Sequence, residues 1–414
     1  METNNLIAPD DSLNDRGPSV LRSWLAVASV TIGAFAFVTT EFLPVGLLPQ
    51  IARELQVTPG TAGLMVTIPG VIAAISAPGM MLGAGRIDRR HILLMLTAML
   101  LVSNLVSAFA SNFALMLLGR AMLGASLGGF WTLALAAAGR LVKPQDAARA
   151  TATILTGVTC ATVIGVPLGT FIASLASWRT TFMVTAGLVA VALVLQALLV
   201  PSMPSNAALR FTDLTALWRR PHPRKSLIMV ALIFGAHISS FTYIAPFLIQ
   251  NAGFDVSSIT WLLLGFGFIG FISNFAASAT VERNLKASLM TIVSLLMVAL
   301  FALPLIQHSA PEVVLTVLVW GVAFGAIPLC LSVWMQLAAP DLPEAGSALF
   351  VGTIQVAIAA GSLIGGAVVD RMGIHADLWF GGSLALLGLA VVASFGASQR
   401  TLTHAEIACI VKPE

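Results

Sequence analysis

The chain has 414 residues, of which 58% are hydrophobic and 9% charged, with a mean hydropathy of +0.95 and a formal net charge of +3. Soluble domains carry about 25% charged residues, so this composition excludes a water-soluble globular protein. The apolar runs are also too many and too long to be core helices of one.

In chain order, residues 1–23 hold Glu2, Asp10, Asp11 and Asp15 and lack the basic-then-apolar pattern of a cleaved leader. They read as a cytoplasmic N-terminal tail, with the first apolar run retained. Runs long enough to cross a bilayer follow near 24–48, 60–83, 92–110, 113–141, 149–174 and 180–200. A second set lies near 226–250, 258–280, 287–307, 312–337, 346–369 and 377–396. Thr58-Pro59 is a start signal for the second run, a capping hydroxyl before a proline in the first helical turn. Residues 201–225 form the one long polar connection, with Arg210, Arg219, Arg220, Arg224 and Lys225, and 397–414 form a C-terminal tail. The expected fold class is an all-α membrane protein, with twelve transmembrane helices in two pseudo-symmetric six-helix halves, 24–200 and 226–396.

Basic residues orient the spans. With the N-terminus inside, the cytoplasmic connections hold Arg86, Arg89, Arg90, Arg140, Lys143, Arg149, the five bases of the linker, Arg283 and Lys286. The opposite connections hold Arg53, Arg179 and Arg371. This asymmetry places both termini in the cytoplasm. The halves also repeat each other: Glu41 precedes Pro44 as Tyr243 precedes Pro246, and Gly124-Ala125 in the fourth run matches Gly325-Ala326 in the tenth. Parallel six-helix repeats put a solute site at their interface, near the bilayer midplane.

Glu41 is the acid that the runs place well inside a span. An ionised carboxylate there costs roughly 2.5–3.5 kcal/mol even on lenient scales, which marks it as a functional residue. Arg120, in the fourth run, cannot discharge by losing its proton and needs carboxylate or carbonyl partners, Glu41 among them, unless it stretches to the interface. His237 is suited to proton movement or to a static interhelical bond. Phe130 and Trp131, beside Gly128-Gly129, suit a flat solute or a packed wall, and Tyr243, the chain's single tyrosine, suits a solute hydroxyl or a backbone carbonyl. Asn104, Gln196, Asn274 and Gln355 are polar residues that the sequence does not rank. Gly157, Gly165, Pro167 and Gly169 give the fifth helix a close-packing, bendable face, a theme repeated by Gly352, Gly361, Gly365 and Gly366. Cys160, Cys330 and Cys409 lack metal spacing, and no phosphate-loop pattern occurs, so neither metal, cofactor nor ATP is expected. Gly124-Ala125-Ser126-Leu127-Gly128 matches the serine-hydrolase pattern in form, leaving an intramembrane serine protease as a remote alternative.

Over nearly its whole length the chain resembles major facilitator superfamily transporters of the drug:proton antiporter group. The resemblance is carried by Glu41 to Val45 (E-x-x-P-V), by Arg120 and Gly124 (R-x-x-x-G), and by Gly165-Val166-Pro167-Leu168-Gly169, a stretched antiporter pattern. Gly83 to Arg90 supplies Asp88, Arg89 and Arg90 of the gating loop in shortened form, and Ser177-Trp178-Arg179 with Phe182 matches the junction between helices five and six. The resemblance implies the major facilitator fold, a proton-coupling role for Arg120 and a bacterial inner-membrane location. From the residues themselves, Glu41 and His237 join Arg120 as proton-coupling candidates, and Pro44, Gly124, Gly165, Pro167 and Gly169 are the candidates for helix packing and bending. Phe130-Trp131 and Phe241 to Ile244 look most like purine ribonucleoside exporters, with sugar or arabinose and multidrug efflux carriers next. The expected protein is thus not an enzyme. It is a monomeric, proton-coupled exporter that works on a small solute in the lipid bilayer, with no nucleic-acid partner.

Overall fold

The computed structural model describes residues 20–83, 87–143, 146–204 and 211–395. The expected terminal tails lie outside them, apart from residues 20–23. Among the described residues there are twelve helices long and apolar enough to span a membrane, and no strand. They are α1 Val20–Glu54, α2 Pro59–Ser76, α3 Arg89–Ala108, α4 Phe113–Trp131, α5 Arg149–Leu175, α6 Trp178–Leu199, α7 Pro221–Thr242, α8 Val256–Ala277, α9 Asn284–Ile306, α10 Ala310–Ala338, α11 Ala348–Met372 and α12 Ile374–Ala393.

Each helix falls on an expected run, with three informative differences. First, α7 starts at Pro221, inside the stretch read as linker, because a proline in the first turn tolerates helix while His222, Arg224 and Lys225 hide it from a hydropathy reading. Second, the linker contains a short amphipathic helix, Phe211–Arg219, which buries Leu217 against Leu227, Met335, Ala339 and Ala345. Third, α12 starts at Ile374, so Asp377 lies within the span.

Proline chemistry explains where helices break. Pro167 has no amide to offer the carbonyl of Val163, and α5 widens to a π turn over Ala161–Gly165. Pro246 likewise leaves the Thr242 carbonyl without its helical donor, and α7 breaks at Tyr243 before a short continuation, Ile244–Gln250.

Within the first half α4 packs on α2 and α3, and α1 on α5 and α6; within the second, α7 packs on α11 and α12. The halves meet where α2 packs on α11, α5 on α8, and the end of α1 on Ile244–Gln250. These contacts gather towards the end of the bundle that carries the α1–α2 and α7–α8 connections, called here the loop end, opposite the linker end. Trp178 and Arg179 brace the loop end of the first half: both donate to Glu54, and Arg179 also reaches the Ala110 carbonyl at 2.9 Å.

Candidate functional site

Arg120 is fully buried on α4, and its hydrogen bonds go to three main-chain carbonyls. Nε donates to Met65 at 2.7 Å, Nη1 to Thr40 at 2.7 Å and Nη2 to Glu41 at 2.8 Å. The choice of acceptors follows from the sequence. In a helix the Thr40 carbonyl would accept from residue 44 and the Met65 carbonyl from residue 69, and both positions are proline. One guanidinium therefore supplies donors that two proline amides lack, and ties the proline turns of α1 and α2 to α4. Arg120 and Glu41 are brought together as expected, yet through the Glu41 backbone rather than its carboxylate. Snorkelling to the interface is ruled out by burial.

The Glu41 side chain, 6% exposed, points instead across the seam. Gln355 of α11 is the polar side chain that meets its carboxyl, and Gln355 Oε1 stays buried without a donor. Arg120 is close enough to act on the carboxyl through its charge. Behind it, Thr40 Oγ1 donates to Ala36 at 2.8 Å and accepts from Asn104 Nδ2 at 3.2 Å. Thr39 Oγ1 and Asn104 Oδ1 are buried without partners. The site is thus polar, enclosed and incompletely satisfied, a pattern that stable cores avoid.

Towards the loop end a polar latch joins the halves. Asp370 on α11 accepts from the Gly60 amide at 2.9 Å and from Thr58 Oγ1 at 2.6 Å, so one half caps the first turn of a helix in the other. Tyr243 donates to Ser362 O at 2.9 Å and lies 3.4 Å from Gly60 O; Ser362 Oγ donates to Gly63 O at 2.9 Å. Glycine is required here because a Cβ on Gly63 would overlap the Tyr243 hydroxyl, and one on Gly60 the Gly366 carbonyl. Tyr243 therefore takes the backbone-carbonyl option left open by the sequence, at the seam.

His237 sits in a pile of rings: Phe324 stacks on it at 3.4 Å between centroids and Phe241 at 4.8 Å, with Trp320 edge-on at 5.7 Å. Trp320 Nε1 donates to His237 Nδ1 at 3.0 Å. Indole is a donor only, so the ring keeps its own proton on Nε2, which is the static interhelical bond. In the other half Phe130 is fully buried and stacks on Phe37 at 4.1 Å, leaving Trp131, at 5.7 Å from Phe130, as the half-buried member of that pair. Each half thus places an aromatic stack between its first and fourth helices.

The remaining expected residues do structural work in this conformation. Asp88 caps α3 through the Arg90 amide and accepts from Ser202 and the Met203 amide. Burial works against its charge, but these bonds hold its carboxyl below the usual carboxylate range. Arg90 donates to Ala197 O at 2.7 Å, and the Arg89 amide to Met203 O at 3.1 Å. The gating loop is therefore tied to α6 and the linker. Gly124 lies against Pro69 of α2, Gly165 against Thr39 and Gly169 against Leu43, so the fifth-helix glycines face α1. Ser126 is buried mid-helix and donates to Leu123 O at 2.8 Å, while His237 lies in the other half, so no nucleophile–base pair forms.

Sequence reasoning left Gln355 unranked and missed Asp370, Ser362 and Asp377. Asp377 corrects the view that Glu41 alone lies inside a span. It is 1% exposed in the first turn of α12, and the short Met372-Gly373 connection was the signal that this helix starts before residue 377.

The profile of the Major Facilitator Superfamily matches residues 30–362. Purine ribonucleoside efflux pump NepI of Salmonella paratyphi B is 34% identical over 376 residues, covering 90% of this chain and 94% of that protein. The same pump from Salmonella enteritidis matches to the same extent. Among solved structures, the nucleoside transporter NupG aligns with a TM-score of 0.73 at 16% identity, covering 90% of this chain and all of that one. The human organic anion transporter MFSD10 aligns at 0.63 and 17%, covering 91% of this chain. At those identities the structural likeness speaks for the fold alone.

Proposed function

The chain belongs to the major facilitator superfamily and is a multi-pass membrane transporter, and on that premise we propose that it is a proton-coupled exporter of purine nucleosides, working by alternating access in a bacterial inner membrane. The observation that carries the coupling is the Glu41–Gln355 pair. Gln355 Oε1 is buried without a donor beside the Glu41 carboxyl. A proton on Glu41 completes the pair, because a carboxylic acid and a primary amide can each donate to the other.

With both termini cytoplasmic, the loop end is the periplasmic face and this conformation is closed outward. The cycle then has a defined sign. Glu41 takes a proton from outside when the loop end is open, and the protonated pair with Gln355 favours closure there. Release of the proton towards the linker end breaks the pair and leaves an unsatisfied interface, which solute binding and reopening resolve. Protons enter as solute leaves, driven by differential affinity in the two states. Cysteines placed at Lys143 or Pro221 are expected to react with impermeant reagents from the cytoplasmic side, and those at Asn112 or Ser309 from outside; reversed labelling would overturn the direction.

The nucleoside assignment rests on the 34% identical pumps and on aromatic stacks that suit a flat base. The second reading, efflux of apolar drugs, is favoured by the rings of Phe241, Phe324 and Trp320 around His237. Overexpressing cells challenged with purine nucleoside analogues, sugars and cationic dyes separate the two. Resistance to the analogues is expected, and resistance confined to dyes would replace the nucleoside with a drug.

A further inference from the structure

Glu41 is not the only enclosed acid in the membrane. Asp377 lies on α12, and both of its carboxyl oxygens are buried without a hydrogen-bond partner. The helices packed on α12 include α7, α9 and α11. α9 carries one titratable side chain, Lys286, which is tied to the Ala393 and Phe395 carbonyls at the linker end, and His308 just beyond α9 is exposed. Ser239 and Ser240 face it from α7, but their hydroxyl protons go elsewhere: Ser239 Oγ donates to Ala236 O at 3.2 Å, and Ser240 Oγ to the Asp377 main-chain carbonyl at 3.4 Å. From α11 comes Gly365, where an added Cβ would stand 2.8 Å from Asp377 Oδ1 and 3.1 Å from Ser239. The titratable groups nearby are committed as well. Tyr243 on α7 is held by Ser362, Asp370 on α11 by Thr58 and Gly60, and His375 on α12 pairs with Asn251 and Gln307. Arg371, at the end of α11, is exposed. Among the described residues no basic side chain forms an ion pair with Asp377.

An ionised carboxylate so enclosed, with neither cation nor donor, is among the most costly groups a membrane protein can carry. The neutral acid removes the charge and gains a donor. The position also matters. Ser239 lies one turn before Tyr243 on α7, and Gly365 adjoins Gly366 on α11. Tyr243 and Gly366 are the residues that meet Gly60 across the seam. The segments that cover Asp377 are therefore the segments that close the loop end.

We propose that Asp377 is a second protonation site of this transporter, holding a proton while the loop end is shut and yielding it to water when the seam opens. The step is a simple dissociation: the carboxyl O–H bond breaks, the electron pair stays on oxygen, and the proton passes to water admitted at the loop end. The inference rests on the proton-coupled reading for its role in transport, while protonation of Asp377 itself stands apart from that reading.

The test uses full-length protein in membrane vesicles, without solute, and dicyclohexylcarbodiimide, which modifies protonated carboxyls in apolar surroundings. A Glu41→Gln background removes the other reactive acid. Peptide mass spectrometry is expected to find an adduct on Asp377, absent after Asp377→Asn and reduced several-fold when Asp370→Ala weakens the seam. The absence of an adduct would show that the acid is not held protonated and would overturn the proposal. A yield unchanged by Asp370→Ala would show a static acid unconnected to the gate, and would overturn it too. So would suppression by sodium at constant pH, which would mark a metal cation on an ionised carboxylate. If Glu41→Gln proves to transport normally, the coupling reading fails while the labelling result still stands or falls by itself.

Discussion

Arg120→Ala is expected to abolish transport and to lower the melting temperature of the detergent-solubilised protein by several degrees. The reason is acceptor bookkeeping rather than charge. The carbonyls of Thr40 and Met65 have lost their helical donors to Pro44 and Pro69, and Arg120 replaces both. Leaving a buried acceptor unsatisfied costs roughly 1–3 kcal/mol, so the two together cost about 2–6 kcal/mol, before the cavity left by a large buried side chain is counted. Lysine is not a substitute. Its ammonium is a point charge that cannot span three carbonyls in a fixed fork, so Arg120→Lys should recover only part of the loss. The explanation makes a sharper demand through a double-mutant comparison. Restoring an amide with Pro44→Ala gives the Thr40 carbonyl a donor of its own, and should make Arg120→Ala less destabilising than it is beside Pro44. Equal losses in the two backgrounds would mean that the guanidinium does not serve the carbonyls left by the prolines.

Glu41→Gln is expected to stop gradient-driven transport while leaving solute exchange in place. The amide has the size of the protonated acid and can satisfy both Gln355 groups, but it cannot release a proton. In reconstituted vesicles, a pH difference of one unit can support about a tenfold solute ratio for each proton coupled, since about 1.4 kcal/mol corresponds to a factor of ten. Wild-type protein should approach that ratio and Glu41→Gln should stay near unity, with exchange of labelled for unlabelled solute continuing at comparable rates. Accumulation by Glu41→Gln equal to wild type would make the acid structural. Coupling would then have to come from elsewhere, and Asp377 rather than His237 would be the next acid or base to test. His237 accepts from an indole that cannot take a proton in return, which ties it to one neutral tautomer in this conformation.

Much of this protein was legible without coordinates, for a reason specific to membranes. Lipid offers no hydrogen bonds, so a spanning segment must be a helix or a strand of a closed barrel, and a long apolar helix is visible in any window of the sequence. The twelve spans followed from it, and the two-half organisation from the matches between them. Glu41 and Arg120 stood out because a charge among apolar neighbours is conspicuous whatever the fold. Pro44 and Pro69 even announced which carbonyls would need an outside donor. What the chain could not say was who supplies it. The guanidinium of Arg120 lies 80 positions from Thr40 along the chain and 55 from Met65, and only the packing of α4 against α1 and α2 turns a lone base into a clamp on two proline turns. The same holds for polar residues with two plausible partners. Tyr243 was equally suited to a solute hydroxyl or a carbonyl, and the docking of α7 and α11 on α2 gave it to the seam. Gln355 looked like one scattered amide among several until α11 set it opposite Glu41. Asp377 sat at the edge of a run, where sequence reads an acid as solvated, and the three helices that close over it decide that it is dry. Hydrophobic length is a local property and is written in order along the chain; the partner of a buried polar group is set by which helices touch, and that is a property of the folded molecule.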